Sequence, residues 1–138
     1  MFLHSSIVIV ASLLSACLFA VAVFFVRSKF KFSRMSITVG WIHLVFVLLN
    51  ALITEIDMLE PGHGEALMGW LWFDLFDFPS SLLALLVSTQ INSFFAREVL
   101  LPILFYGVAG SFQYLLVSEL FMRFLCQTFK AIGKKCRD

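Results

Sequence analysis

The chain has 138 residues, of which 61% are hydrophobic and only 14% charged, whereas a soluble domain is about half apolar and about a quarter charged. A water-soluble globule of this size has too much surface to cover with so few charges. Ten Lys and Arg against nine Asp and Glu, net +1, exclude a strongly basic nucleic-acid binder and an acidic disordered chain. A small integral membrane protein remains.

A helix needs about 20 mostly apolar residues to cross about 30 Å of hydrocarbon. The first such segment, 5–26, holds no ionisable residue and stops at the basic cluster Arg27, Lys29, Lys31 and Arg34. Inside it, Leu14-Ser15-Ala16-Cys17 has the form of a lipoprotein processing box. The opening Met1-Phe2-Leu3-His4 lacks the positive charge of a signal n-region, however, and the apolar run continues to Val26. An uncleaved span is therefore the preferred reading. The second segment, 36–54, runs into Glu55, Asp57 and Glu60, after which Pro61-Gly62-His63-Gly64 makes a loop.

The third apolar stretch, 66–96, is interrupted by Asp74, Asp77 and Pro79. Proline fits the first turn of a helix and damages its interior, so the span is expected over 79–96. Segment 66–78, with Trp70 and Trp72, would then lie in the interface, where tryptophan is enriched. The fourth span opens at Pro102 and covers 102–125, leaving a basic tail at 127–138. Membrane barrel strands would alternate apolar and polar residues, and these segments do not. The expected fold is all-α, a single domain built as a four-helix transmembrane bundle.

Four spans divide the ten Lys and Arg residues five against five between the two sides, so the positive-inside rule gives no orientation. A three-span alternative turns the region from 79 to 125 into a re-entrant segment plus one span. Irregular backbone at that depth needs shelter from protein or water, which favours four spans.

Helices associate in lipid through close packing of small residues and through interhelical hydrogen bonds. Ser12, Ala16 and Ala20 form a small-residue stripe on the first span, and Gly107 and Ser111, with Gly110 alongside, form another on the fourth. Both are candidate packing faces, within the chain or toward a partner, and replacing Ala16 and Gly107 by Leu should disrupt partner capture.

Ionisable residues at membrane depth are candidate functional groups. On the second span Gly40, His43, Asn50 and Thr54 share one face. His43 reads as a proton-responsive or ligand-contacting group or, more simply, as a neutral histidine bonded to another helix. Asp74, Asp77 and Ser81 would share a face if the helix ran through Pro79, giving a carboxylate pair for cation coordination or proton transfer. The simpler reading makes Asp77 a cap for the following helix and leaves Asp74 in interfacial water. Glu119 and Arg123 stand at i and i+4, placed for an ion pair.

Cys17, Cys126 and Cys136 form no Cys-x-x-Cys, and no histidine lies at zinc-ligand spacing from them. Cys126 and Cys136 lie near an interface, where acylation is conceivable. No phosphate-binding loop, zinc-protease motif or nucleophile elbow is present, so the sequence implies no catalytic residues, metal or cofactor.

The run Asp77-Phe78-Pro79-Ser80-Ser81, and Gly107, Gly110, Gln113 and Tyr114 on the last span, give the chain a look that resembles small four-pass bacterial inner-membrane proteins. In size and layout it is similar to membrane-embedded immunity proteins that guard a cell against envelope-targeting toxins. With no catalytic constellation and with small-residue faces on the first and fourth spans, the leading expectation is a non-enzymatic protein that binds other helices in the bilayer, as an immunity protein or a small accessory subunit. Its partners would be membrane lipids and another membrane protein or a second copy. The alternative is an oligomeric ion or proton pathway lined by His43, Asn50, Asp74, Asp77 and Ser81; an enzyme acting on lipid ranks third.

Overall fold

The computed structural model describes residues 2–57, 68–93 and 96–131. The loop around Pro61-Gly62-His63-Gly64, residues 66 and 67 of the expected interfacial segment, and 132–138 of the basic tail with Cys136 lie outside the described residues. Helices α1 (Phe2–Lys29), α2 (Arg34–Asp57), α3 (Met68–Phe76) and α4 (Ser80–Ser88) are followed by a final helix over 96–131. That helix begins with a π turn (Ala96–Leu100), passes through α5 (Leu101–Leu104) and a second π turn (Phe105–Gly110), and ends in α6 (Ser111–Ala131). No strand occurs among the described residues.

Three of these helices are long and apolar enough to cross a membrane: Ser6–Lys29, Arg34–Asp57 and Leu101–Lys130. The third apolar stretch departs from the expected single span. It is used twice, as two helices of nine residues each on either side of a turn at Asp77, Phe78 and Pro79. At 1.5 Å per residue each is about 14 Å long, roughly half the hydrocarbon thickness. The apolar run is long enough for one crossing, but α4 ends in a turn at Thr89 and Gln90. Pro79 cannot donate the backbone N–H that a through-running helix would need.

The direction of each element follows from what it touches. Phe19 of α1 faces Gly40 of α2, so these two helices run antiparallel across the short connection at residues 30–33. Ser36 bonds Glu119, while Gly40 faces Ser111 and Leu115, so α2 and α6 are antiparallel as well. Helix α3 starts with Gly69 against Asn50 and ends at the turn, where Asp77 meets His43 and Gly110. Helix α4 leaves from Ser80, which bonds Gln113, and comes back to share a cavity with Arg97 and Leu101. The pair α3–α4 is thus a helical hairpin whose tip reaches the middle of the bundle.

Two apolar clusters flank that tip. One gathers Val8, Val47, Trp70, Ala84, Ile103 and Tyr106, joining α1, α2, the hairpin and the last helix. The other is Phe19, Leu44 and Leu115, nearer the basic connection. Trp70 and Trp72, expected together at the interface, part company: Trp70 is 6% exposed in the core and Trp72 is 65% exposed on the outer face.

Candidate functional site

The residues that converge at the hairpin tip come from three parts of the chain. Buried α2 positions Ser36, Gly40, His43, Val47 and Thr54 recur at intervals of three and four or their sums, the spacing of one helix face. His43 on that face is 8% exposed, and Asp77 and Ser111 are fully buried. His43 Nε2 lies 3.0 Å from Asp77 Oδ1, and His43 Nδ1 lies 3.1 Å from Ser111 Oγ. The imidazole stacks on the Tyr114 ring, centroids 4.3 Å apart, and meets the edge of Phe73 at 5.7 Å.

Close approach here depends on glycine. A Cβ on Gly110 would run into the Asp77 carboxylate and sit 3.0 Å from His43 Cε1. Gly110 closes the second π turn. Such turns widen a helix locally and are frequent at functional sites. The same turn carries Tyr106, whose hydroxyl donates to Asp74, and Gly107, which packs on the Ser15 hydroxyl. Ser15 Oγ donates to the Ile103 carbonyl at 3.2 Å, tying α1 to the last helix.

Asp77 does not cap α4 through its side chain. Its carbonyl accepts from Ser80 Oγ at 2.5 Å and from the Ser81 amide at 3.0 Å, while its carboxylate points to the bundle interior. Gln113 holds the turn from the other side, its Nε2 donating to the Phe78 carbonyl at 2.6 Å. One Asp77 oxygen, Oδ2, is buried with no hydrogen-bond partner. A buried carboxylate oxygen left unpaired is costly.

Chemically, Ser111, His43 and Asp77 form a hydrogen-bond chain of the kind hydrolases use. Ser111 is fully buried, away from solvent. No group of three His, Cys, Asp or Glu side chains that could hold a metal ion occurs among the described residues.

The sequence-derived candidates separate into distinct places. His43, Asp77, Gly110 and Ser111 are brought together at the tip, and Ser81 is buried just beyond it. Asp74 is exposed, with Tyr106 as its partner. Asn50 stands against Gly69, its Nδ2 buried without a partner. The small-residue stripe of the fourth segment is filled from within the chain, by Ser15, Leu44, Asp77 and His43. Ser12, Ala16 and Ala20 are half-buried and flank the inward stripe Val8, Ala11, Ser15 and Phe19 of α1. Gln113 and Tyr114, noted in the sequence only for the resemblance, hold the turn and stack on His43, and Tyr106, which no sequence signal singles out, bonds Asp74.

A second polar cluster lies where α6 passes the α1–α2 connection. Glu119 Oε2 accepts from the Ser33 amide and from Ser36 Oγ, both at 2.9 Å, and Glu119 Oε1 accepts from Arg123 Nε at 2.8 Å. The i, i+4 pair expected from sequence is therefore also a clamp on the connection.

The class these features define is an all-helical membrane protein with a buried polar centre. Comparison with known protein families, curated proteins and solved structures finds no match to this chain.

Proposed function

We propose that the chain crosses the membrane three times, with α3–α4 as a re-entrant hairpin between the second and third crossings. On that arrangement Arg27, Lys29, Lys31 and Arg34 share a side with Arg123, Lys130, Lys134, Lys135 and Arg137, and Arg97 is alone on the other. The even division of charge under four spans becomes a strong bias. By the positive-inside rule the α1–α2 connection and the C-terminal segment are cytoplasmic. The resemblance of the sequence to small inner-membrane proteins makes the bacterial inner membrane the bilayer concerned.

Within that frame the protein serves as a proton-binding component of an ion or proton pathway. The observation that carries this reading is the fully buried Asp77, one oxygen held by His43 and the other without a partner. Ionisable groups at such depth are rare and expensive, and they mark proton and ion routes. A proton arriving at Asp77 can pass to Nε2 of His43, while Nδ1 on the opposite edge of the ring bonds Ser111. Phe19, Leu44 and Leu115 lie beyond as an apolar seal, so the arrangement fits gated transfer better than an open pore. In liposomes under an imposed pH gradient, the wild-type protein should speed proton flux and Asp77→Asn should abolish the increase. Flux equal to that of protein-free vesicles would overturn the reading.

A second reading, an accessory or immunity protein acting through helix contacts, is favoured by the outer surface of α1. Its most apolar window is 17% buried, against 44% in the last helix. Recovery of a single partner in mild detergent, lost when Leu13 and Phe24 are replaced by Ala, would support it.

A further inference from the structure

The end of the bundle at the α1–α2 connection carries charge of one sign. Arg27 and Lys29 close α1, Lys31 stands in the connection, and Arg34 opens α2. Helix α6 passes the connection at Glu119, and its Arg123 donates to the Lys31 carbonyl at 3.5 Å. Lys130 follows seven residues later, two turns on and on the same face. All six cations are exposed. Glu119 is the one carboxylate at this end among the described residues, and Ser33, Ser36 and Arg123 already hold it. Glu55 and Asp57 lie at the opposite end of α2, and Asp74 and Asp77 belong to the hairpin. Arg123 is therefore answered. Among the described residues no side-chain hydrogen bond or ion pair engages Arg27, Lys29, Lys31, Arg34 or Lys130.

The same stretch of α6 is two-sided. Glu119, Arg123, Gln127 and Lys130 recur at steps of four and three, the spacing of one helix face, and Glu119 and Arg123 turn that face to the connection. Helix α1 ends and α2 begins at the connection, so it marks the edge of the hydrocarbon. The exposed apolar side chains of α6, Val117, Leu120, Phe121 and Phe124, run through that edge, and Phe30 of the connection is exposed beside them. At such an edge Lys and Arg stems lie along apolar surface and carry their charges to the headgroups. A water-borne acidic partner would answer the cations and leave the apolar face unmet; a lipid answers both. We propose that this end of the bundle binds an anionic phospholipid, its phosphate held by cations of the connection and of α6 and its acyl chains laid against Leu120 and Phe121. Groups of about four to eight Lys and Arg beside a membrane helix recognise anionic headgroups in this way. The inference is independent of the proton-pathway reading, because none of these residues belongs to the hairpin tip.

The test uses the full chain in dodecyl maltoside, equilibrated with equal amounts of dioleoyl phosphatidylglycerol and dioleoyl phosphatidylcholine and weighed by native mass spectrometry. The two lipids share their chains and differ in headgroup charge. Phosphatidylglycerol should be retained about tenfold over phosphatidylcholine, within what one or two cations contribute at an anionic surface. Lys31→Gln, Arg34→Gln and Lys130→Gln in one chain should bring the two lipids to parity. Lys31→Arg, Arg34→Lys and Lys130→Arg, which keep the charge, should keep the preference. Inorganic phosphate in excess should leave phosphatidylglycerol bound, because the acyl chains supply part of the affinity. Equal retention of the two lipids by the wild type, a preference that survives the three Gln substitutions, or its loss in the charge-keeping variant would each overturn the proposal. Displacement of the lipid by inorganic phosphate would assign a soluble anion and overturn it too. A Gln variant that loses its thermal transition is replaced by the three single substitutions, each of which must lower the preference.

Discussion

His43 and Asp77, 34 positions apart in sequence, meet at 3.0 Å in the interior of the bundle. One comes from the middle of a long helix and the other from the tip of a hairpin, so their contact fixes how deep the hairpin sits. In lipid the hydrophobic effect supplies no net drive between helices, so close packing and interhelical hydrogen bonds such as this one hold the bundle together.

A double-mutant cycle measures that contact. His43→Ala and Asp77→Ala should each destabilise the fold, and together they should cost less than the sum. The coupling should be about 1–2 kcal/mol, the upper part of the range seen for polar pairs between membrane helices. Unfolding in mixed micelles reads it, and additive costs would show that the pair does not hold the hairpin.

Gly110→Ala tests the packing at the same point. The new methyl would collide with the Asp77 carboxylate, which is buried and held by His43. Overpacking of this kind costs about 1–3 kcal/mol. Gly110→Ala in an Asp77→Ala background should be milder, because the colliding atoms are gone. Thermal melting of the four proteins in one detergent checks both statements.

The Glu119 clamp gives an asymmetric expectation. Glu119→Ala strands the half-buried Ser33 amide and leaves Ser36 Oγ with Ser33 Oγ alone, 2.7 Å away, at a cost of about 1–3 kcal/mol for a donor left unpaired. Arg123→Ala should cost no more than about 0.5 kcal/mol, since Arg123 is 56% exposed and solvent screens the pair. Equal losses in the two variants would mean that the ion pair, and not the loop contacts, carries the interaction.

Topology is open to direct assay. Reporters placed at Ser33 and after Asp138 should both read as cytoplasmic, and one placed before Phe2 should not. Opposite readings at Ser33 and Asp138 would restore four crossings.

Much of the fold is legible in the residues. The apolar lengths of the first, second and last segments lie close to the helices formed, and the inward face of α2 follows from the spacing of Gly40, His43 and Thr54. The hairpin is not legible in the same way. A run from 66 to 96 with one proline satisfies the composition of a span, and only tertiary partners, Gln113 for the turn and His43 for Asp77, make two half-length helices preferable. The site shows the same division. His43 and Asp77 stand out as ionisable residues in apolar surroundings, but their pairing depends on the second π turn and on Gly110, which periodicity does not reveal. Gly107 and Gly110 read equally well as a partner-binding face until the side chains that fill them are placed.

The central claim is that the buried His43–Asp77 pair belongs to a proton route. Proton flux into liposomes of matched protein content tests it most directly. Flux should exceed that of protein-free vesicles in the wild type and fall to their level in His43→Gln as in Asp77→Asn. Flux unchanged in both variants would contradict the account.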